Sequence, residues 1–253
     1  MQESRKGPQD ENDLATHLGD GTQYTSTGEF SLQTTSFVFG RGFDSFGFKF
    51  EGAFQTGSAG VQNSDGEDAA IAGYGLAAEL YFPRPESKWN WNVKFGMASG
   101  DDPDTADLEA FAFDRNYDVG MLLFNHRLGR KDFLNTNVYK DTTNLNVGNS
   151  ADDEQLSNAV YLAPSVNYAW NDRFDVKNTL VYAQLLKTQK SSIDSTKDLG
   201  LEWDISLIYK PTEKIQWVNE LGFLFPGGAW KNGDEELENG FTYGFASKAA
   251  ISF

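Results

Sequence analysis

The sequence predicts an all-β chain wound as an antiparallel transmembrane β-barrel, on three observations. Apolar and polar residues alternate with period two in segment after segment. Most segments run 11 to 15 residues, against about 5–6 for a globular strand. The connections alternate strictly between short and long, as in barrels with tight turns on one side and longer loops on the other.

The elements follow in order. EFSLQTTSFVFG (29–40) and SFGFKFEGAFQTG (45–57) are joined by a tight GRGFD turn. AAIAGYGLAAELYF (69–82) and KWNWNVKFGMA (88–98) flank PRPES. LSNAVYLAPSVNYAW (156–170) turns at Asn171–Arg173 into FDVKNTLVYAQLLK (174–187). DLGLEWDISLIYK (198–210) passes Pro211–Glu213 into KIQWVNELGFLF (214–225), and GFTYGFASKAAISF (240–253) closes the series. In that last segment Phe241, Tyr243, Phe245, Ile251 and Phe253 share one face and Lys248 takes the other. The long connections, about 57–68, 99–155, 188–197 and 226–239, are rich in Gly, Asp, Asn and Ser. The predicted organisation is a polar extracellular N-terminal segment, 1–28, followed by barrel strands over 29–253 with the long loop 99–155.

Composition narrows the function. The chain has 253 residues, net charge −16 and no cysteine. The acidity repels phosphates and reads against nucleic-acid partners. Absence of cysteine excludes disulfides, cysteine-ligated zinc and cysteine nucleophiles. Residues 1–24 lack the apolar core of a signal peptide, so the expectation is a mature chain or a fragment. The longest apolar cluster is Val119–Phe124, far below the ~20 residues of a spanning helix.

Strand parity assigns the two faces. Phe82, Trp89, Trp170, Phe174, Tyr209, Trp217 and Phe253 cluster around the short turns on the apolar face. They read as half of a membrane-interface girdle, where rings with one polar edge prefer to sit. The opposite face carries Lys49, Glu51, Glu79, Lys94, Lys177, Glu202, Asp204, Glu220 and Lys248. Turned to lipid, each midplane Lys would cost roughly 2–4 kcal/mol, so these residues are expected to line the pore. Asn178, Gln184 and Asn219 fall on the lipid side and run against the pattern; register bulges or protein neighbours are the candidate explanations.

Nine such strands place the N-terminus outside and the terminal Phe on the periplasmic side. Single-chain bacterial barrels have even strand numbers. The expectation is therefore one part of a larger barrel, completed by a second polypeptide or an N-terminal half. The alternative is a further strand within 1–24 or 130–147, closing ten strands in one chain.

FEGAFQTGSAG (50–60), ASGDDPDT (98–105) and SNAVYLAPSVNY (157–168) carry a resemblance. With them the chain resembles the C-terminal half of the alginate-export porin family, which implies a Gram-negative outer-membrane barrel of about eighteen strands. The family's transport of an anionic polysaccharide goes with a strongly basic lumen, whereas the lumen set here is a near-even mix of Lys and acids.

The long loop holds EAFAFDRNYDVGMLLFNHRLGR (109–130). So much apolar surface is expected to pack, either into the lumen as a constriction or over the rim. Asp114, Arg115, Asp118, His126, Arg127 and Arg130 would then set a transverse field. No cofactor is expected. The clusters Asp101, Asp102, Asp104, Asp107 and Asp152, Asp153, Glu154 offer oxygen ligands for a loop Ca²⁺ but lack EF-hand spacing. His126 has no accompanying nucleophile motif, which reads against an enzyme. The leading expectation is a passive diffusion channel for small or oligomeric hydrophilic solutes, with outer-membrane lipid and lipopolysaccharide as its surroundings. A structural barrel that sheathes or anchors another envelope protein is the alternative, and an outer-membrane enzyme the third.

Overall fold

A computed structural model describes residues 2–5, 25–26, 30–62, 68–84, 86–102, 105, 107–114, 116–125, 155–188, 196–231 and 238–252. Its strands are β1 (Gln2–Arg5), β2 (Thr25–Ser26), β3 (Phe30–Gly42), β4 (Gly47–Gln62), β5 (Asp68–Ile71), β6 (Tyr74–Phe82), β7 (Trp89–Ala98), β8 (Ala159–Asn171), β9 (Phe174–Leu185), β10 (Asp198–Thr212), β11 (Ile215–Pro226) and β12 (Thr242–Ile251). One 3₁₀ turn, Gly228–Lys231, follows β11. All strands belong to one sheet in the order β1-β3-β4-β6-β7-β8-β9-β10-β11-β12, with β2 and β5 on β4. Every pairing between strands is antiparallel. No described helix is long and apolar enough to cross a membrane.

The nine predicted strands are the nine long neighbours β3, β4, β6–β12. Segment 69–82 is divided into β5 and β6, and the reason is a competing partner. Leu108 of the long loop inserts beside Ile71 as an isolated parallel bridge. Its N–H donates to the Ala70 carbonyl at 2.8 Å and its carbonyl accepts from Ala72 at 3.0 Å. Within residues 1–24 the structure describes only β1, four residues paired to the start of β3. Residues 130–147 lie outside the described residues.

Registry makes the two faces explicit. Phe50, Ala78, Phe95 and Leu162 align across four strands. Tyr182, Leu201 and Phe225 continue the face across β9–β11, and Phe223 meets Tyr243 of β12. This outer face is apolar and open: Phe245 is 65% exposed, and Trp91, Leu162, Leu180, Trp203 and Leu221 are exposed as well. The opposite face receives segment 99–125 and is called the inner face below.

Asn178, Gln184 and Asn219 on the outer face are satisfied by their neighbours, and a register shift between β9 and β10 also falls at Gln184. Trp203 Nε1 donates to Asn178 Oδ1 at 3.2 Å. Trp217 Nε1 donates to Ser247 Oγ at 2.7 Å, which passes a hydrogen bond to Asn219 Oδ1 at 2.9 Å. Gln184 donates to the Tyr182 hydroxyl at 2.5 Å. Each amide thus removes its own polarity from the apolar surface by a cross-strand or same-face bond.

Candidate functional site: a loop latched to the inner wall

Segment 99–125 leaves β7, crosses the inner face and is held at several points. At its root, Ser99 Oγ donates to the Tyr74 carbonyl, and the Ser99 carbonyl accepts from Phe111 at 3.0 Å. Buried Asp101 accepts the backbone N–H groups of Glu109 at 2.6 Å and Ala110 at 2.8 Å, closing the acidic turn on itself. Asp102 pairs with Lys187 at 2.5 Å just beyond β9. That hydrogen bond holds the Lys187 ammonium above the ordinary lysine range. Asn158, in the left-handed region at φ 49°, clamps the root from the other side. Its side chain accepts from Lys187 N and donates to the Lys187 carbonyl, both at 2.9 Å. Asn tolerates this conformation through local hydrogen bonding.

The distal part is built around two wall carboxylates. Glu202 of β10 is 0% exposed. It accepts the N–H of Leu122 at 2.6 Å and of Leu123 at 2.7 Å, one on each oxygen. Asp204, two residues along the same face, accepts Met121 N–H at 3.1 Å. Three successive amides are thus gripped by the wall. Charge-assisted bonds such as the two to Glu202 are worth about 1.5–3 kcal/mol each. The bend brings Phe124 into the left-handed region at φ 71°, a strained setting for a bulky residue, and buries its ring.

Apolar packing completes the hold. Leu122, Leu123, Phe124 and Phe113 are buried with Ala98, Ala159, Tyr161, Ala163, Val181, Ala183, Leu199 and Leu224 of the wall. Small residues recur on the wall because the loop needs the volume. Gly75 and Gly244 are the clearest cases: a Cβ would fall 2.4 Å from the Phe111 ring and 2.8 Å from Leu122 Cδ2. The Tyr161 hydroxyl meets that of Tyr117 at 2.7 Å. Burial pushes the Tyr117 hydroxyl above its ordinary pKa, with the Tyr161 bond opposing the shift.

The charged residues expected on the pore wall all stand on the inner face, but they divide by cover. Glu202 is sealed under the loop and Asp204 nearly so. Lys94 donates to the Asp118 carbonyl at 2.8 Å, lies over the Tyr117 ring and stands 3.8 Å from Glu79. Lys49 pairs with Glu51 at 3.3 Å and Lys248 with Glu220 at 3.3 Å. Lys177 lies directly opposite Asn167 and Ser206.

In the loop, Asp114 accepts from Asn116 and Asp118 from Asn125, so both fix local turns. Arg115, His126, Arg127 and Arg130 lie outside the described residues, as does Phe253. Phe82, Trp89, Trp170, Phe174, Tyr209 and Trp217 stand on the outer face beside the short turns. Phe174, Tyr209 and Trp217 are aligned across three strands, with the first two stacked at 4.5 Å. Asp104, Asp152, Asp153 and Glu154 lie outside the described residues, among which no group of three or more potential metal ligands occurs.

Comparison with known proteins identifies the kind of wall this is. The model of the Alginate export family matches residues 7–243. The chain belongs to the alginate export family. Among solved structures the NanC porin is similar in fold, with TM-score 0.40 and 10% identity over 91% of this chain and 96% of that one. Curated proteins give no match. Membership in this family of channels makes the chain an outer-membrane porin or export-channel wall and places it in the bacterial outer membrane.

Proposed function

We propose that this family member forms the wall and the constriction of a passive diffusion channel for small or oligomeric hydrophilic solutes. One observation carries the reading: segment 99–125 lies against the inner face, gripped through consecutive amides by Glu202 and Asp204. A loop so held narrows the passage without needing a mobile lid. Lys94, Glu79, Asp118 and the Glu220–Lys248 pair around it supply charges of both signs, which orient polar solutes rather than select one charge. Chemistry on the solute has no part in this reading. The long loops are taken as extracellular and the C-terminus as periplasmic, with the Trp and Tyr residues at the short turns anchoring the periplasmic rim.

The wall itself has a closure rule. β3 and β12 end the row of nine long strands and run in the same direction. An antiparallel barrel therefore takes an odd number of further strands between them; β1, paired antiparallel along the start of β3, is one of them, and any others come from a longer chain or a partner polypeptide. Unpaired edges in lipid leave backbone groups with no hydrogen-bonding partner.

Reconstitution tests the channel. The native complex in planar bilayers is expected to show stable ion conductance; silence from a folded, heat-modifiable barrel overturns the reading. Intact mass of that complex reads out whether another polypeptide completes the wall.

A further inference from the structure

Glu202 and Asp204 point inward from β10 two residues apart, and both are buried under the loop. Across the sheet Glu202 faces Val181 and Leu224, and Asp204 faces Thr179 and Gly222. No cation therefore stands directly opposite either carboxyl. The next inward position, Ser206, lies between Lys177 and Glu220. Glu220 accepts from the Ser206 hydroxyl at 3.2 Å and pairs with Lys248 at 3.3 Å. From the loop come the Met121, Leu122 and Leu123 amides, and Asp118, which accepts from Asn125.

The three amides occupy three of the four carboxyl oxygens. The fourth, Asp204 Oδ1, is buried and meets no donor among the described residues. The Asp204 carboxyl is also in hydrogen-bonding contact with that of Glu202. Two ionised carboxylates are acceptors only and repel each other, so a hydrogen bond between them requires a proton. We infer that Glu202 and Asp204 share one proton, carried on Asp204 and donated to Glu202, and that its removal releases the loop from the wall. In this arrangement Asp204 still accepts from Met121, while Glu202 keeps its charge for Leu122 and Leu123. Loss of the proton to solvent leaves two like charges buried together without a cation, which the site cannot repay. Rising pH is therefore the releasing direction: the latch holds while the proton is bound and fails in alkali. The inference rests on the channel reading only for what release does to conductance, and on the carboxyl pair for the latch itself.

The experiment follows the folded native complex from neutral to alkaline pH. Infrared difference spectra are expected to show a protonated-carboxyl C=O band, shifted in heavy water, that disappears as the pH rises. Loop release is read alongside it, as faster proteinase K cleavage within 99–125 and as higher single-channel conductance that reverses at neutral pH. Asp204→Asn places an amide that donates to Glu202 and accepts from Met121 without a titrating proton. It should lose the band together with the alkaline changes in cleavage and conductance. Asp175→Asn removes an inward acid bound instead to Lys210 at 2.6 Å and should keep all three. Absence of the band at neutral pH, its survival in Asp204→Asn, or cleavage that accelerates equally in parent and Asp204→Asn overturns the inference. Should Asp204→Asn not fold, as judged by heat modifiability, the parent decides alone: band loss and faster cleavage in one pH range support the latch, and separate ranges overturn it. A complex with the band and the cleavage change but no conductance supports the latch and fails the channel reading only.

Discussion

The covered middle of the inner face and its bare flanks are made from the same kind of strand, yet they have opposite surfaces. Across β7–β11, under segment 99–125, the wall is apolar or tightly bonded: Tyr161 is 1% exposed, Val181 0% and Glu202 0%. On β3 and β12 the inner face is open: Val38 is 63% exposed, and the Lys248 side chain 71%. Period-two alternation gives both regions an inward face, but the loop turns part of that face into a protein core. An inward carboxylate means different things in the two settings. Glu202 is an anchor for backbone amides, whereas Glu220 forms an accessible pair with Lys248.

Breaking the anchor should have the largest effect. Glu202→Leu leaves the Leu122 and Leu123 N–H groups buried without acceptors, at about 1–3 kcal/mol each. The loop is expected to leave the wall, seen as higher single-channel conductance and faster proteolysis within 99–125. Glu202→Gln keeps one strong acceptor and should fall between; unchanged conductance in both variants would show that the loop does not narrow the passage.

A matched glycine pair sharpens the comparison. Gly96→Ala drives a methyl into the Tyr161 ring and should destabilise by roughly 1–3 kcal/mol through overpacking. Gly42→Ala on the bare flank has nothing within 4 Å of the new Cβ and should stay near neutral. Thermal unfolding of the two variants checks this, and equal shifts would erase the distinction between the regions.

Lys94→Met removes the hook on the Asp118 carbonyl and the charge beside Glu79. A modest rise in conductance and a shift of ion selectivity toward cations are expected, read from the reversal potential in a salt gradient.

The root latch gives the smallest effect, with a definite sign in pH. Asp102 raises the Lys187 pKa in the folded state. The pair therefore contributes fully below the ordinary lysine value of about 10.4 and is lost only as pH rises through the higher folded value. Being exposed, it is worth about 1 kcal/mol or less. Lys187→Ala should lower thermal stability slightly at neutral pH, with the gap to the parent closing only in strong alkali.

Much of this was legible in particular residues. The alternation of GFTYGFASKAAISF placed Phe245 outward and Lys248 inward, because a strand cannot turn consecutive side chains to the same face. The nine long strands and their alternating connections were readable for the same reason. Val119–Phe124, the longest apolar run, lying inside a polar loop, signalled that the loop packs on something. What it packs on was not legible. Its acceptors, Glu202 and Asp204, lie some 80 positions away, and an inward-facing acid reads the same whether it meets water or an amide. The division of β5 from β6 was hidden for a like reason, since its cause is Leu108 of a distant loop.

The sequence by itself thus determined the strands, their faces and the family, because periodicity and turn chemistry act over neighbouring residues. Only the tertiary structure decided which inward residues form a core, which anchor the loop, and which, like Lys248 beside Glu220, stay exposed. Those assignments depend on cross-strand register and on where one loop comes to rest, and both are set by contacts between residues far apart in the chain.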